Sequence, residues 1–248
     1  MVSEKVLNIL KNKMNIVQET DNEILWLVGP VNLPVQLDNE VVTFKWYTWL
    51  SSEKNASDPA KLLSYITESN LADIRQSSAL VYGDFTESDE AVVRFHSICH
   101  TGDIFGSKRC DCGFQLRESM RIIVNHGHGA LFYLANHEGR GIGLFPKALA
   151  YLLQQEGYDT IEANLELGFD DDMRSYEDSI TVLKKLREKP IKLITNNPRK
   201  LAAFRERGLQ VEERIPLWGD VSLYNERYLQ TKINKAGHIP AKKKKMIG

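Results

Sequence analysis

Every cysteine of this 248-residue chain falls within one stretch, Val93–Leu116, as Cys99, Cys110 and Cys112. A single residue separates Cys110 from Cys112. Side chains two apart on an extended chain point the same way, so a small bend turns both toward one point. Cys99 can return to that point through Gly102 and Gly106. Three thiols cannot all pair as disulfides, and C-x-C bridges poorly. Three arrangements remain: isolated buried thiols, a closed structural zinc site completed by His96 or His100, or three thiolates on one soft metal with a fourth position open. Three protein ligands plus water mark catalytic zinc, and the absence of a fourth cysteine favours that count.

Three further stretches carry groups that could do chemistry. In HEGRGIG (137–143), glycines alternate with Glu138, Arg140 and Ile142. Glycine lets a backbone approach a ligand closely, a carboxylate can accept from a base or amine, and a guanidinium can grip a phosphate. In ITNNPRK (194–200), Thr195, Asn196 and Asn197 end an apolar run, and Pro198 stands at the first turn of a helix. A helix start presents free N–H groups and a positive dipole end. Lys200 in that turn disfavours the helix itself, which fits either an anionic ligand or a plain capped helix with an exposed lysine. GFDDDMRSY (168–176) sets three aspartates just before Arg174, which fits a solvated loop, an ion pair or a reactive pair.

The elements that must position these groups follow from pattern. Residues 1–22 are predicted as a helical extension, with Val6, Leu7, Leu10 and Met14 on one face. EILWLV, LPVQL and VVTFKWYTWL predict short strands separated at Gly29-Pro30 and Asp38-Asn39. Asp58-Pro59 predicts a helix start inside an insertion of about residues 52–76. SALVYGDF and AVVRFHSI predict two more strands, the second leading into the cysteines. Helices are predicted over 114–126, 146–157, 178–188 and 198–207, with strands over 130–135 and 191–195 and an extended run over 209–217. This alternation predicts an α/β (mixed α+β) fold with a β-rich N-terminal portion. One domain is expected over 23–238, followed by a basic flexible tail, 239–248.

Composition narrows the class. Thirty-two basic residues against 33 acidic give a formal net charge of -1, without the basic excess of a general nucleic-acid binder. No apolar run approaches a membrane span, and the N-terminus lacks a signal-peptide pattern. A cytoplasmic enzyme with free thiolates is expected, with neither nucleic acid nor membrane as partner.

Together, VRFHSICHTGD, KRCDCGFQL, EGRGIGL, KALAYLLQQEGYDTIEANLELGF, DDMRSY, KLITNNPRK and the later RIPL, YL, TK and GH resemble GTP cyclohydrolase II, in order and spacing, over about residues 78–238. The resemblance implies a zinc enzyme of riboflavin synthesis that opens the guanine ring of GTP at C8, releasing formate and pyrophosphate. It implies one Zn²⁺ per chain on Cys99, Cys110 and Cys112, Mg²⁺ with the triphosphate, and a homodimer. Asp172 and Arg174 match the family's reactive pair, proposed as base and as nucleophile toward the α-phosphorus. Guanidinium is normally protonated, so charge stabilisation is the simpler role for Arg174. Tyr151 matches a tyrosine beside the reacting base. Arg94, Phe95, His96, Ser97, Ile98, Gln115, Glu138, Gly139, Arg140, Thr160, Thr195 and Lys200 match GTP-contacting positions. Ile98 and His100 stand where the family reads Glu and Leu. That departure admits a divergent paralogue acting on GTP or a related purine nucleotide in a specialised pathway, or a non-catalytic zinc and nucleotide binder. No second riboflavin-pathway half is seen before the domain, so a bifunctional enzyme is not expected.

Overall fold

The computed structural model describes residues 3–71, 76–219 and 221–240. Its framework is an eight-stranded mixed sheet in the order β1-β2-β3-β4-β6-β5-β7-β8, which meets the α/β expectation. The strands are β1 Met14–Glu19, β2 Glu23–Leu37, β3 Glu40–Glu53, β4 Ser78–Tyr82, β5 Val92–Ser97, β6 Gly129–Leu134, β7 Ile191–Ile194 and β8 Val211–Ile215. The helices are α1 Glu4–Lys11, α2 Pro59–Glu68, α3 Cys112–His126, α4 Leu144–Gln155, α5 Thr160–Glu166, α6 Glu177–Leu186, α7 Pro198–Glu206 and α8 Glu226–Asn234.

Two kinds of pairing meet at β6. From β1 through β4 to β6 every pair is antiparallel, whereas β6, β5, β7 and β8 run parallel. Parallel neighbours need crossovers, and α3 and α7 supply them for β5–β6 and β7–β8. The carboxyl ends of β5, β6 and β7 therefore open on one edge, where open α/β sheets bind ligands.

The parity of β5 decides which of its side chains can reach that edge. Val93 and Phe95 point into the main core with Phe132, Leu134, Val182, Leu183, Leu193 and Phe204. Val92 packs on the other face with Ile123, Leu131, Ile194 and Leu217, under α3. Arg94 and His96 share the parity of Val92. A third cluster of Met14, Ile24, Trp26, Ala56 and Leu62 fastens α1 and α2 to the antiparallel half.

Several expectations need correction. The helix expected over the first 20 residues stops at Lys11, and Met14–Glu19 is an edge strand of the same sheet, so residues 1–22 are not a helical appendage. EILWLV and LPVQL form one strand that passes through Gly29-Pro30, with its register shifting between Val28 and Val31. β3 continues to Glu53, into the start of the expected insertion. Within the 52–76 segment, α2 starts as expected: Asp58 Oδ1 accepts from Ala60 N and Lys61 N at 2.9 and 3.0 Å, and Pro59 opens the helix. α5 and α8 went unpredicted. Residues 241–248, most of the expected tail, lie outside the described residues. Among those described, no helix is long and apolar enough to cross a membrane.

Candidate active site

At the edge where β5, β6 and β7 end, the three cysteine sulfurs lie within 4.8 Å of one another, with Cys99 Sγ 3.6 Å from Cys110 Sγ. Cys99 follows β5 and Cys112 begins α3. A π-helical turn, His100–Ile104, links them back toward each other. Close approach depends on two glycines. A Cβ at Gly102 would sit 2.9 Å from Cys110 Sγ and 3.1 Å from Cys99 Sγ, and one at Gly113 would sit 2.3 Å from the Gly102 carbonyl oxygen. Tetrahedral zinc with Zn–S near 2.3 Å requires sulfurs roughly 3.8 Å apart, so the residues fit the ion. Hydrogen bonds from Cys110 and Cys112, helped by Lys147, hold the Cys99 thiol far below its ordinary pKa. A dication would displace the remaining thiol protons.

Asp103 anchors this corner. Its carboxylate accepts from Cys99 N at 2.9 Å, Tyr133 Oη at 3.0 Å and His96 Nε2 at 3.0 Å. Burial holds His96 below its ordinary pKa. The neutral ring donates through Nε2, and Nδ1 has no partner among the described residues.

Beside the sulfurs lies a buried pair that the sequence did not disclose. Lys147 Nζ donates to Glu138 Oε1 at 2.6 Å, Thr101 Oγ1 at 3.2 Å and Cys99 Sγ at 3.3 Å. Burial opposes its charge, but Cys99, Tyr151 and Glu138 override it and raise the ammonium's pKa. Glu138 Oε2 accepts from His100 N at 2.7 Å. Tyr151, one turn after Lys147 on α4, places its hydroxyl 3.4 Å from Thr101 Oγ1 and its ring under the Arg109 guanidinium, 4.4 Å away.

The opposite wall is cationic. Arg174 makes a two-pronged contact to Asp172, Nε to Oδ1 at 2.7 Å and Nη2 to Oδ2 at 2.6 Å, and Nη1 reaches Ser97 Oγ at 3.4 Å. Burial works against its charge, yet Tyr176 and Asp172 hold the guanidinium above its ordinary value. Arg94 donates to Gln115 Oε1 at 2.7 Å and to the Ile194 carbonyl at 3.1 Å. Lys200 reaches the Phe95 carbonyl at 2.6 Å, and burial, with Arg94 and Arg174 nearby, pushes it well below its ordinary pKa. Arg140 stands on a left-handed backbone, φ 67°, between Gly139 and Gly141. An anion landing here relieves the cost of these buried cations. The Asn197 side chain caps α7, accepting from Arg199 N at 2.9 Å, and Thr195 Oγ1 accepts from Asn197 N at 3.0 Å.

The cleft between these walls encloses about 1090 Å³ including its open mouth. The expected residues Arg94, His96, Ser97, Ile98, Gln115, Glu138, Gly139, Arg140, Tyr151, Thr160, Arg174, Thr195 and Lys200 all line it, with the three cysteines. Asp172 stands behind Arg174. Phe95 is the exception: its ring is fully buried in the main core against Phe132 and Phe204, and its carbonyl alone serves the site. Lys147, Asn164, Trp218, Tyr228, Lys232 and His238 also line the cleft and were not foreseen. Lys147 had a signal, a lysine inside an otherwise apolar helical run four residues before Tyr151.

Comparison with known proteins gives a consistent result. Residues 54–216 match the family described as GTP cyclohydrolase II. The riboflavin biosynthesis protein RibBA of Bacillus subtilis (strain 168) is 49% identical over 171 residues, 68% of this chain and 43% of that protein. RibBA proteins of Bacillus cereus and Bacillus mycoides are each 48% identical over 171 residues, 69% of this chain and 43% of theirs. The chain thus spans less than half the length of the curated relatives it matches.

Proposed function

The chain belongs to the GTP cyclohydrolase II family, and we propose that it hydrolyses GTP at C8 of the guanine ring, releasing formate and pyrophosphate and leaving 2,5-diamino-6-(5-phosphoribosylamino)pyrimidin-4(3H)-one. The observation that carries this reading is the pairing of three converging thiolates with a wall of buried cations in one cleft. Ring opening at C8 needs the first, and a triphosphate ester needs the second.

When bound by Cys99, Cys110 and Cys112, zinc supplies the Lewis acidity that hydrolysis at a ring carbon requires. The remaining work falls to side chains. Arg140, Arg174 and Lys200 bind the triphosphate, whose charge Mg²⁺ shares. Two of the three guanidinium nitrogens of Arg174 are occupied by Asp172, and the group stays protonated. We therefore assign it stabilisation of charge at the α-phosphorus, oriented by Asp172, rather than nucleophilic attack. Burial raises the Tyr151 pKa, so its phenol remains a hydrogen-bond donor beside the base. Glu138 is held by Lys147 and two backbone N–H groups, which fixes its oxygens toward the metal corner. The exposed apolar side chains of Phe105, Phe145 and Leu152 support a homodimer.

A second reading rests on Ile98. Its apolar side chain lines the cleft where the family motif has a carboxylate, which favours a related purine nucleotide as substrate. Mass spectrometry after incubation with GTP, Zn²⁺ and Mg²⁺ tests both readings. Formate, pyrophosphate and the diaminopyrimidine are expected together. Release of a single small product indicates a truncated reaction, turnover of another purine nucleotide but not GTP favours the paralogue, and binding without turnover points to a non-catalytic protein.

A further inference from the structure

Beyond residue 216, where the family match ends, the chain returns to close the cleft. Trp218, Tyr228, Lys232 and His238 line it. This returning segment is pinned twice. At the first pin the Asn196 amide brackets Leu217, donating to its carbonyl at 2.5 Å and accepting from its N–H at 3.3 Å. Ile239 N also donates to the Asn196 carbonyl at 2.9 Å.

The second pin reaches the cysteine loop. Lys232 Nζ lies 2.9 Å from Asp111 Oδ1, and Asp111 is the single residue between Cys110 and Cys112. The Asp111 side chain is completely enclosed, 0% exposed. Its other oxygen accepts from Gln115 Nε2 at 2.5 Å and from Gly219 N at 3.3 Å. Gln115 in turn accepts from Arg94. A buried line Lys232–Asp111–Gln115–Arg94 therefore runs from α8, past the loop carrying two sulfurs, to the cationic wall. The approach is tight: a Cβ at Gly219 would sit 2.6 Å from Asp111 Cβ. The Tyr228 ring lies under Lys232, 4.3 Å from Nζ, and helps fix the ammonium.

We propose that Lys232 is a positioning residue for the metal site, acting through Asp111 to hold Cys110 and Cys112 at their spacing, so that segment 217–239 fastens the cleft wall to the metal loop. The proposal rests on the zinc reading above. Without Lys232, a fully enclosed carboxylate loses the cation it touches. The loop relaxes to hydrate it, and the two sulfurs move with the loop. Groups behind metal ligands govern metal affinity in this way.

The test uses the zinc-loaded full chain and follows zinc transfer to an excess of chromogenic chelator, with thermal melting of each variant alongside. Lys232→Met is expected to release zinc about 10–100-fold faster than wild type. Lys232→Arg should stay within a few-fold of wild type. The double variant Lys232→Met/Asp111→Asn should recover most of the loss, because no buried charge is left stranded. Should Lys232→Met fail to melt cooperatively, Lys232→Gln takes its place with the same expected order. A helix-docking role alone would lower the melting temperature and leave zinc release unchanged, and that result overturns the positioning role. A wild-type chain that takes up no zinc overturns the metal reading itself, a different result from unchanged release.

Discussion

The two walls of the cleft handle charge in opposite ways. At the cysteine corner the anions already have donors from the protein. Glu138 takes Lys147 and two backbone N–H groups, and Asp103 takes a backbone N–H, a phenol and an imidazole. Across the cleft, Arg140 and Arg174 stand by Asp172, while Arg94 and Lys200 make their hydrogen bonds to neutral oxygens. Lys200 has a carbonyl oxygen and the face of the Tyr176 ring, 5.7 Å away, for its ammonium. Burying unmatched cations is costly, so the fold holds that wall against its own stability. On the proposed function, a metal completes the corner and an anion completes the wall. Each wall therefore reports the charge of what it is built to bind.

The contrast can be broken by experiment. The largest effect is expected from Cys110→Ser. Zinc content should fall toward zero and formate release below detection, while nucleotide binding persists through the other wall. Full activity with two thiolates would end the assignment of that corner. Next comes Arg174→Ala, expected to slow pyrophosphate release about 10²–10³-fold, as loss of a transition-state donor does. Zinc should stay at one per chain, and a parallel loss of metal would mean that the walls are not independent.

Stability effects come third. Lys147→Met strands the Glu138 carboxylate, whose side chain is 4% exposed, and should cost about 3–5 kcal/mol in urea unfolding. Adding Glu138→Gln should recover much of that cost, and two purely additive losses would show that the pair is not coupled. The most gradual effect concerns pH. Burial lowers the pKa of His137 to about 3 from an ordinary 6.5. The unfolded chain then binds a proton that the native ring refuses. The His137 contribution is thus intact above pH 6.5 and is lost as pH falls toward 3, by at most about 1.4 kcal/mol per pH unit. His137→Gln should flatten that part of the stability–pH curve, and an unchanged slope would assign the acid sensitivity elsewhere.

What the sequence disclosed divides along similar lines. The sulfurs, the glycine-rich turn and the start of α7 were legible because the chemistry and the geometry sit within a few residues of each other. Phe95 shows how position can mislead. It lies among true cleft residues, but strand alternation sends its ring into the core, and the parity of Arg94 and His96 already implied this. β1 was misread because six residues after a helical run satisfy either period. Lys232 was visible only as half of the TK pair, and its role was beyond reach. Its partner Asp111 is 121 residues away, and nothing local in ERYLQTKIN marks one lysine as enclosed. Lys147 fell between these cases, visible as an oddity and interpretable only after packing.

Arg140 carries one further consequence. A residue with a side chain in the left-handed region costs roughly 1–2 kcal/mol, which glycine at the same place would not. Arg140→Gly is therefore expected to make the protein more robust while removing one grip on the ligand. Thermal selection and selection for turnover pull this position in opposite directions. A descendant freed from its substrate would drift to glycine or asparagine here, relieving the backbone at the cost of the Arg140 Nη1 bond to the Asp171 carbonyl. The side chain at position 140 is thus a gauge of whether the cleft is still in use.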